Sequence, residues 1–201
     1  TGVRLRLSIY GGSKAEQEER IESELKGLKA ILGDIIYSEK DDTLESAVGD
    51  LLKAYGKTLS TAESCTGGMI SSLITSVPGS SEYFLGSVTS YANGVKENVL
   101  GVPAEIIAEH GAVSSECVAA MAEGVRRITS SDYSVATSGI AGPGGGSEEK
   151  PVGTVWIGVS SDNGTETFRL KFNSDRKRNI ERFSSSALHI LLNKIKKELN
   201  N

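Results

Sequence analysis

The chain has 201 residues, which suits one good-sized α/β domain or one domain with a small appendage. Its formal charge of -4 argues against broad nucleic-acid binding, and no apolar run approaches the roughly 20 residues of a membrane span. Two His and two Cys assemble no zinc spacing, so no metal or cofactor is expected; Cys65 and Cys117 make no disulfide framework, and Thr1-Gly2-Val3-Arg4 carries no signal-peptide pattern, so a cytoplasmic protein is expected.

Val3 to Tyr10 alternates apolar and polar and predicts a half-buried strand. Gly11-Gly12-Ser13 is a turn, and Lys14 to Leu32 predicts an amphipathic helix with Ile21, Leu25, Leu28 and Leu32 on one stripe. Ile35 to Ser38 predicts a second short strand, so residues 1–40 read as a small β-α-β segment. Glu39-Lys40-Asp41-Asp42 is a charged linker. Asp42 or Thr43 caps the next helix, Leu44 to Tyr55. A larger unit, 43–201, follows.

Its first strand, around Thr58 to Thr61, runs into Ala62-Glu63-Ser64-Cys65-Thr66-Gly67-Gly68 and then a helix, Met69 to Thr75. Such a strand-to-helix turn collects free backbone N–H groups at the positive end of a helix dipole. Tyr83 to Tyr91 is β-rich, and a short helix follows to Leu100. Pro103, at the first helical position, opens another helix that closes at His110-Gly111. Ser114 or Ser115 caps a longer helix with Val118, Met121, Ala122 and Val125 inward. Tyr133 to Ser138 is a buried strand entering the glycine-rich loop Gly139 to Gly146. Val152 to Ser161 and Glu166 to Phe172 predict a hairpin across Asp162-Asn163-Gly164. Asp175 caps a final helix with Ile180, Phe183, Ala187, Ile190 or Leu191, and Ile195 inward. The alternation predicts a three-layer α/β/α domain with a mixed sheet, preceded by the β-α-β segment.

Ligands in such sheets gather at the carboxyl ends of strands. Three polar clusters lie there: Ser64 to Gly68, Tyr91 to Lys96, and Ser138 to Gly146. Gly142-Pro143-Gly144 is no dinucleotide fingerprint, because Ser147 stands at the third glycine position and Pro151 bars the helix that should follow. Ser147-Glu148-Glu149-Lys150 matches a Ser-x-x-Lys string, and the same Pro151 makes it a substrate-side loop instead. His110 and His189 are poor base candidates, each at or inside a helix. Lysine can replace histidine when desolvated, which singles out Lys96 beside a solvated-helix reading of it. Cys65 rivals Ser64 as nucleophile, since a helix N-terminus lowers a thiol pKa; it also reads as a small buried residue. Arg176, Lys177, Arg178 and Arg182 crowd the start of the last helix, where the dipole disfavours cations; a bound anion on Arg176 would relieve that.

Together, Ala62 to Gly68, Tyr91-Ala92-Asn93-Gly94-Val95-Lys96, Gly111-Ala112-Val113-Ser114, Ser138 to Pro143, Gly146 to Trp156 and Asp175-Arg176 resemble the C-terminal domain of the CinA (competence/damage-inducible) family over residues 43 to 200. Residues 1–40 resemble the small KH-like subdomain that precedes it in full-length members. A Gly-x-x-Gly loop is missing there, so the segment reads as a spacer or dimerisation element. The resemblance implies a nicotinamide mononucleotide deamidase, with Ser64, Tyr91 and Lys96 as catalytic residues. Nicotinamide mononucleotide is then the partner, with no nucleic acid or membrane, and a homo-oligomer, a dimer, is expected. On this reading Lys96 takes the Ser64 proton, Tyr91 orients Lys96 or relays a proton, and amides around Thr66, Gly67 and Gly68 hold the oxyanion. Glu63 and Cys65 line the same turn, and Arg176 with the Ser138, Gly139, Ala141 and Gly142 loop holds phosphate and ribose. Family members often carry Arg where Ile180 stands, which removes a minor anion contact. The alternative is a catalytically silent nucleotide-binding or assembly module of the same fold.

Overall fold

A computed structural model describes residues 2–199. In chain order the elements are α1 (Lys14–Leu32), α2 (Leu44–Ala54), β1 (Leu59–Glu63), α3 (Met69–Thr75), β2 (Phe84–Thr89), α4 (Asn93–Asn98), α5 (Ala104–His110), α6 (Ser115–Thr129), β3 (Tyr133–Gly139), β4 (Thr154–Ser161), β5 (Gly164–Lys171) and α7 (Arg176–Leu199). Two single 3-10 turns, Gly33–Ile35 and Ser80–Glu82, complete the set.

The strands form one five-stranded sheet in the order β2-β1-β3-β4-β5. β1 runs parallel to β2 and β3, while β4 and β5 are antiparallel additions, so the sheet is mixed as expected. Alternation along the strands sorts side chains into two cores. Leu59, Val135, Val155, Ile157 and Val159 pack with Val48 and Leu52 of α2, Ile70 and Ile74 of α3, and Phe183, Ala187, Leu188, Leu191 and Ile195 of α7. Ala62 and Ala136 face the other way, onto Cys117, Val118, Met121, Ala122 and Val125 of α6, with Leu100 and Val102. This is the three-layer α/β/α arrangement. The close seating of α6 depends on Gly158, where a Cβ would lie 2.7 Å from the carbonyl oxygen of Val118. Thr43 and Ser114 cap α2 and α6 through their hydroxyls. Pro103 sits one residue earlier than expected, as the N-cap of α5.

The segment before residue 43 corrects the sequence reading. α1 forms over the expected residues, but neither flanking strand does. A helix closes its hydrogen bonds within itself, and here Ser13 and Glu16 add a reciprocal capping box. A strand needs a neighbour, and among the described residues no other strand lies beside residues 3–10 or 35–38. Val3 and Leu5 are therefore 87% and 62% exposed, and no residue of α1 is fully buried. The expected stripe of Ile21, Leu25, Leu28 and Leu32 is half-covered.

In the paired register Glu63 stands opposite Thr89 on one side and Thr137 on the other. The carboxyl ends of the three parallel strands therefore lie together at one edge, where all three polar clusters emerge.

Candidate active site

β1 continues in the sheet for one residue past its end, because the Ser64 amide donates to the Thr137 carbonyl at 3.0 Å. The chain then turns. Gly67 and Gly68 take φ of 62° and 99°, left-handed values that favour glycine, and α3 begins at Met69. Strand alternation puts Leu59, Thr61 and Glu63 on one face, the face α3 covers. The fully buried Glu63 carboxylate accepts from the amides of Gly68 and Ile70, each at 3.0 Å, and of Ser71 at 2.8 Å. The protein's own carboxylate thus fills the start of α3. This corrects the expected oxyanion site: the Gly68 amide belongs to Glu63, and the Gly67 amide donates to the Ser64 carbonyl at 3.2 Å. Glu63 supports the turn, its carboxylate engaged by these three amides. Among the described residues, the Thr66 amide meets no acceptor, and the Cys65 amide meets only its own thiol.

Ser64 and Cys65 have opposite surroundings. Ser64 is half-buried and opens to the sheet edge. Cys65 is 6% exposed within the core, and burial pushes its thiol up to about 12 despite help from its own amide and from Thr137. A thiol so held is not a thiolate at neutral pH. Thr66 is buried too, its hydroxyl paired with that of Thr137 at 2.8 Å.

Lys96 comes from the short helix α4 and is 1% exposed. Its Nζ lies 3.2 Å from Ser64 Oγ, 2.7 Å from the Ser90 carbonyl and 3.4 Å from the Tyr91 carbonyl. Among the described residues no carboxylate pairs with it. Burial therefore lowers its pKa below 10.5, the nearby sulfurs of Cys117 and Cys65 acting the other way. In the neutral amine two hydrogens serve the two carbonyls, and the lone pair is left for the Ser64 hydroxyl.

Tyr91 acts on both sides of this site. Its carbonyl holds Lys96, while its phenol accepts from Arg176 Nη2 at 3.2 Å. The phenol is thus turned to Arg176, and the expectation that it orients Lys96 holds only for the main chain. Arg176 opens α7, and its Nη1 donates to the Gly142 carbonyl at 2.7 Å. The helix start that looked overcharged is offset by Asp175, whose Oδ1 accepts from the Arg178 amide at 3.0 Å. Arg182 stacks over Phe172.

The Ser138 to Gly142 loop is built differently from the sequence expectation. Ser138 is 1% exposed, and its hydroxyl donates to the Ala112 carbonyl at 2.6 Å, tying the Gly111 to Ser114 loop to β3. Gly139 lets β4 approach, since a Cβ there would lie 2.6 Å from the Thr154 carbonyl. Ala141 is buried. These three residues shape the loop, and Gly142 offers its carbonyl to Arg176. Lys150 Nζ donates to the His110 carbonyl at 2.6 Å, which ties the Ser147 to Lys150 stretch to the end of α5.

Sequence reasoning missed Ser90, whose part is a main-chain carbonyl and leaves no side-chain signal. It also missed Asn179, a polar residue on the first turn of α7, just ahead of the apolar stripe that begins at Ile180.

A sequence profile described as the CinA C-terminal domain matches residues 41–195. A CinA-like protein of Pseudothermotoga lettingae is 47% identical over 191 residues, which cover 95% of this chain and 46% of that protein. A CinA-like protein of Thermotoga maritima is 44% identical over 190 residues, covering 94% of this chain and 45% of that one. The chain thus spans less than half the length of these relatives. Among solved structures, a CinA superfamily protein from Klebsiella pneumoniae superposes with a TM-score of 0.74 at 34% identity, over 77% of this chain and 96% of that one. The competence/damage inducible protein CihA from Agrobacterium tumefaciens gives 0.73 at 36% identity, over 75% and 93%. With the profile matching most of its length, the chain belongs to the CinA C-terminal domain family.

Proposed function

We propose that this chain is a serine amidohydrolase that converts nicotinamide mononucleotide to nicotinic acid mononucleotide and ammonia. The observation that carries the reading is the buried Lys96 amine, 3.2 Å from Ser64 Oγ with two carbonyls beside it. A lysine held this way is a base, since burial disfavours its charged form. The rival nucleophile, Cys65, is packed into the core with a raised pKa.

In the first half-reaction Ser64 Oγ attacks the carboxamide carbon and Lys96 takes the hydroxyl proton. The amides of Cys65 and Thr66 donate to the oxyanion. Lys96 passes the proton to the departing nitrogen, the C–N bond breaks, and ammonia leaves an ester on Ser64. In the second half-reaction Lys96 takes a proton from water. The resulting hydroxide displaces Ser64, which recovers that proton as the acid is released. Arg176, one tyrosine side chain away from Lys96, supplies the positive charge that suits a nucleotide phosphate.

The test is ammonia release, with nicotinic acid mononucleotide as co-product, from purified chain and nicotinamide mononucleotide. Loss by a factor of at least about 10³ in Ser64→Ala supports the reading. No release at protein concentrations that saturate nucleotide binding would leave a silent nucleotide-binding module.

A further inference from the structure

Asn179 is fully buried on the first turn of α7, one turn beyond Arg176. Its Nδ2 donates to the Ala141 carbonyl at 3.0 Å and to the Ser174 carbonyl at 2.9 Å. Its Oδ1 meets no donor among the described residues. Both amide hydrogens are therefore committed, and the donor end of the side chain is set by its neighbours. Arg176 grips the next carbonyl along, that of Gly142, and reaches Tyr91 with its other nitrogen. Two side chains of one helix turn thus hold two consecutive carbonyls of the glycine-rich loop. The Asn179 bond to Ala141 is buried and that to Ser174 is part-buried, whereas Arg176 lies at the surface. A buried neutral hydrogen bond keeps its geometry when a ligand arrives; an exposed guanidinium is free to move unless something fixes what it leans on.

We infer that Asn179 is a positioning residue that fixes the Ala141-Gly142 main chain against α7, and so sets where the Arg176 guanidinium meets the phosphate of a nucleotide substrate. The inference rests on the amidohydrolase reading for its substrate class. Among the described residues, the Asn179 side chain bonds only Ala141 and Ser174, and makes no hydrogen bond to Ser64, just past β1, or to Lys96 of α4.

The experiment compares the chain with Asn179→Ala, Asn179→Asp and Arg176→Ala on two amides that differ only in the phosphate, nicotinamide mononucleotide and nicotinamide riboside. Asn179→Ala should raise KM for the mononucleotide about tenfold with kcat within about threefold, and leave kcat/KM for the riboside within about threefold. Asn179→Asp keeps the volume but sets a carboxylate against two carbonyl oxygens, so its KM effect should be the larger. Added to Arg176→Ala, Asn179→Ala should cost less than about twofold more, because the two act as one unit. Equal losses on both substrates, or losses that multiply in the double variant, would overturn the inference. So would failure of both Asn179 variants to fold, which would make the residue structural only. If the unaltered chain releases no ammonia, the amidohydrolase reading fails by itself. Calorimetric titration with ribose 5-phosphate then still decides the matter: about tenfold weaker binding in Asn179→Ala supports positioning, and unchanged binding refutes it.

Discussion

Lys96→Met separates the chemistry of the site from its stability. Methionine keeps an unbranched side chain of similar length in a position that is 1% exposed, so the packing around the lysine stem is largely retained. The substitution removes the Nζ bonds to the Ser90 and Tyr91 carbonyls. The Tyr91 carbonyl is part-buried where it meets Lys96; Ser90 is fully buried, and an unpaired buried acceptor costs roughly 1–3 kcal/mol. Against that, the variant no longer desolvates an amine, the effect that lowers the Lys96 pKa. The net loss of stability should be about 0–2 kcal/mol, a fall in Tm of at most about 8 °C for a chain of this size. Removal of the proposed base beside Ser64 should lower kcat/KM by at least about 10³, or about 4 kcal/mol of transition-state stabilisation. The assay pairs thermal unfolding with ammonia release on the same preparation. A folded Lys96→Met enzyme keeping more than about a tenth of wild-type kcat/KM would refute the lysine as base.

Three further outcomes follow from the same geometry. With neutral Lys96 as the proposed base, kcat/KM should fall as pH drops through a value below 10.5; because the unfolded chain binds that proton more tightly, stability is lost as pH falls from 10.5 to that same value and levels off below it, and Lys96→Met should abolish both dependences. Cys65→Ala should keep activity within about threefold while losing about 1 kcal/mol of stability from a small core cavity, and alkylating reagents should leave the folded enzyme active; inactivation by stoichiometric alkylation at Cys65 would contradict this. Tyr91→Phe removes the phenol on Arg176 but keeps the carbonyl on Lys96, so KM should rise by about threefold to tenfold with kcat nearly unchanged; a fall in kcat beyond about 10² would give the phenol a catalytic part.

The core domain was legible where signals are local. α3 and the strand before it were read from a short β-prone run, two glycines and helical spacing, and α6 from its cap and inward residues. The strands expected over Val3 to Tyr10 and Ile35 to Ser38 were misread, because alternation tells which side would be buried but not whether a partner strand exists. In the site, the Ser64–Lys96 pair was legible from motif position. The use of Glu63 was not drawn from the sequence, although the parity of β1 already put it on the face covered by α3. Once its carboxylate takes the amides of Gly68, Ile70 and Ser71, the amides left for the proposed oxyanion site are those of Cys65 and Thr66. Main-chain contributions, such as the carbonyls of Ser90 and Gly142, leave no trace in residue identity and needed the structure.

The central claim is that Ser64 Oγ forms a covalent ester with the nicotinoyl group while Lys96 manages the proton. Mass spectrometry of enzyme quenched during turnover of nicotinamide mononucleotide, followed by peptide mapping, tests it directly. The account predicts an acyl adduct on Ser64 that is absent from Ser64→Ala and diminished in Lys96→Met. An adduct on Cys65, or turnover by Ser64→Ala at near wild-type rate, would contradict it.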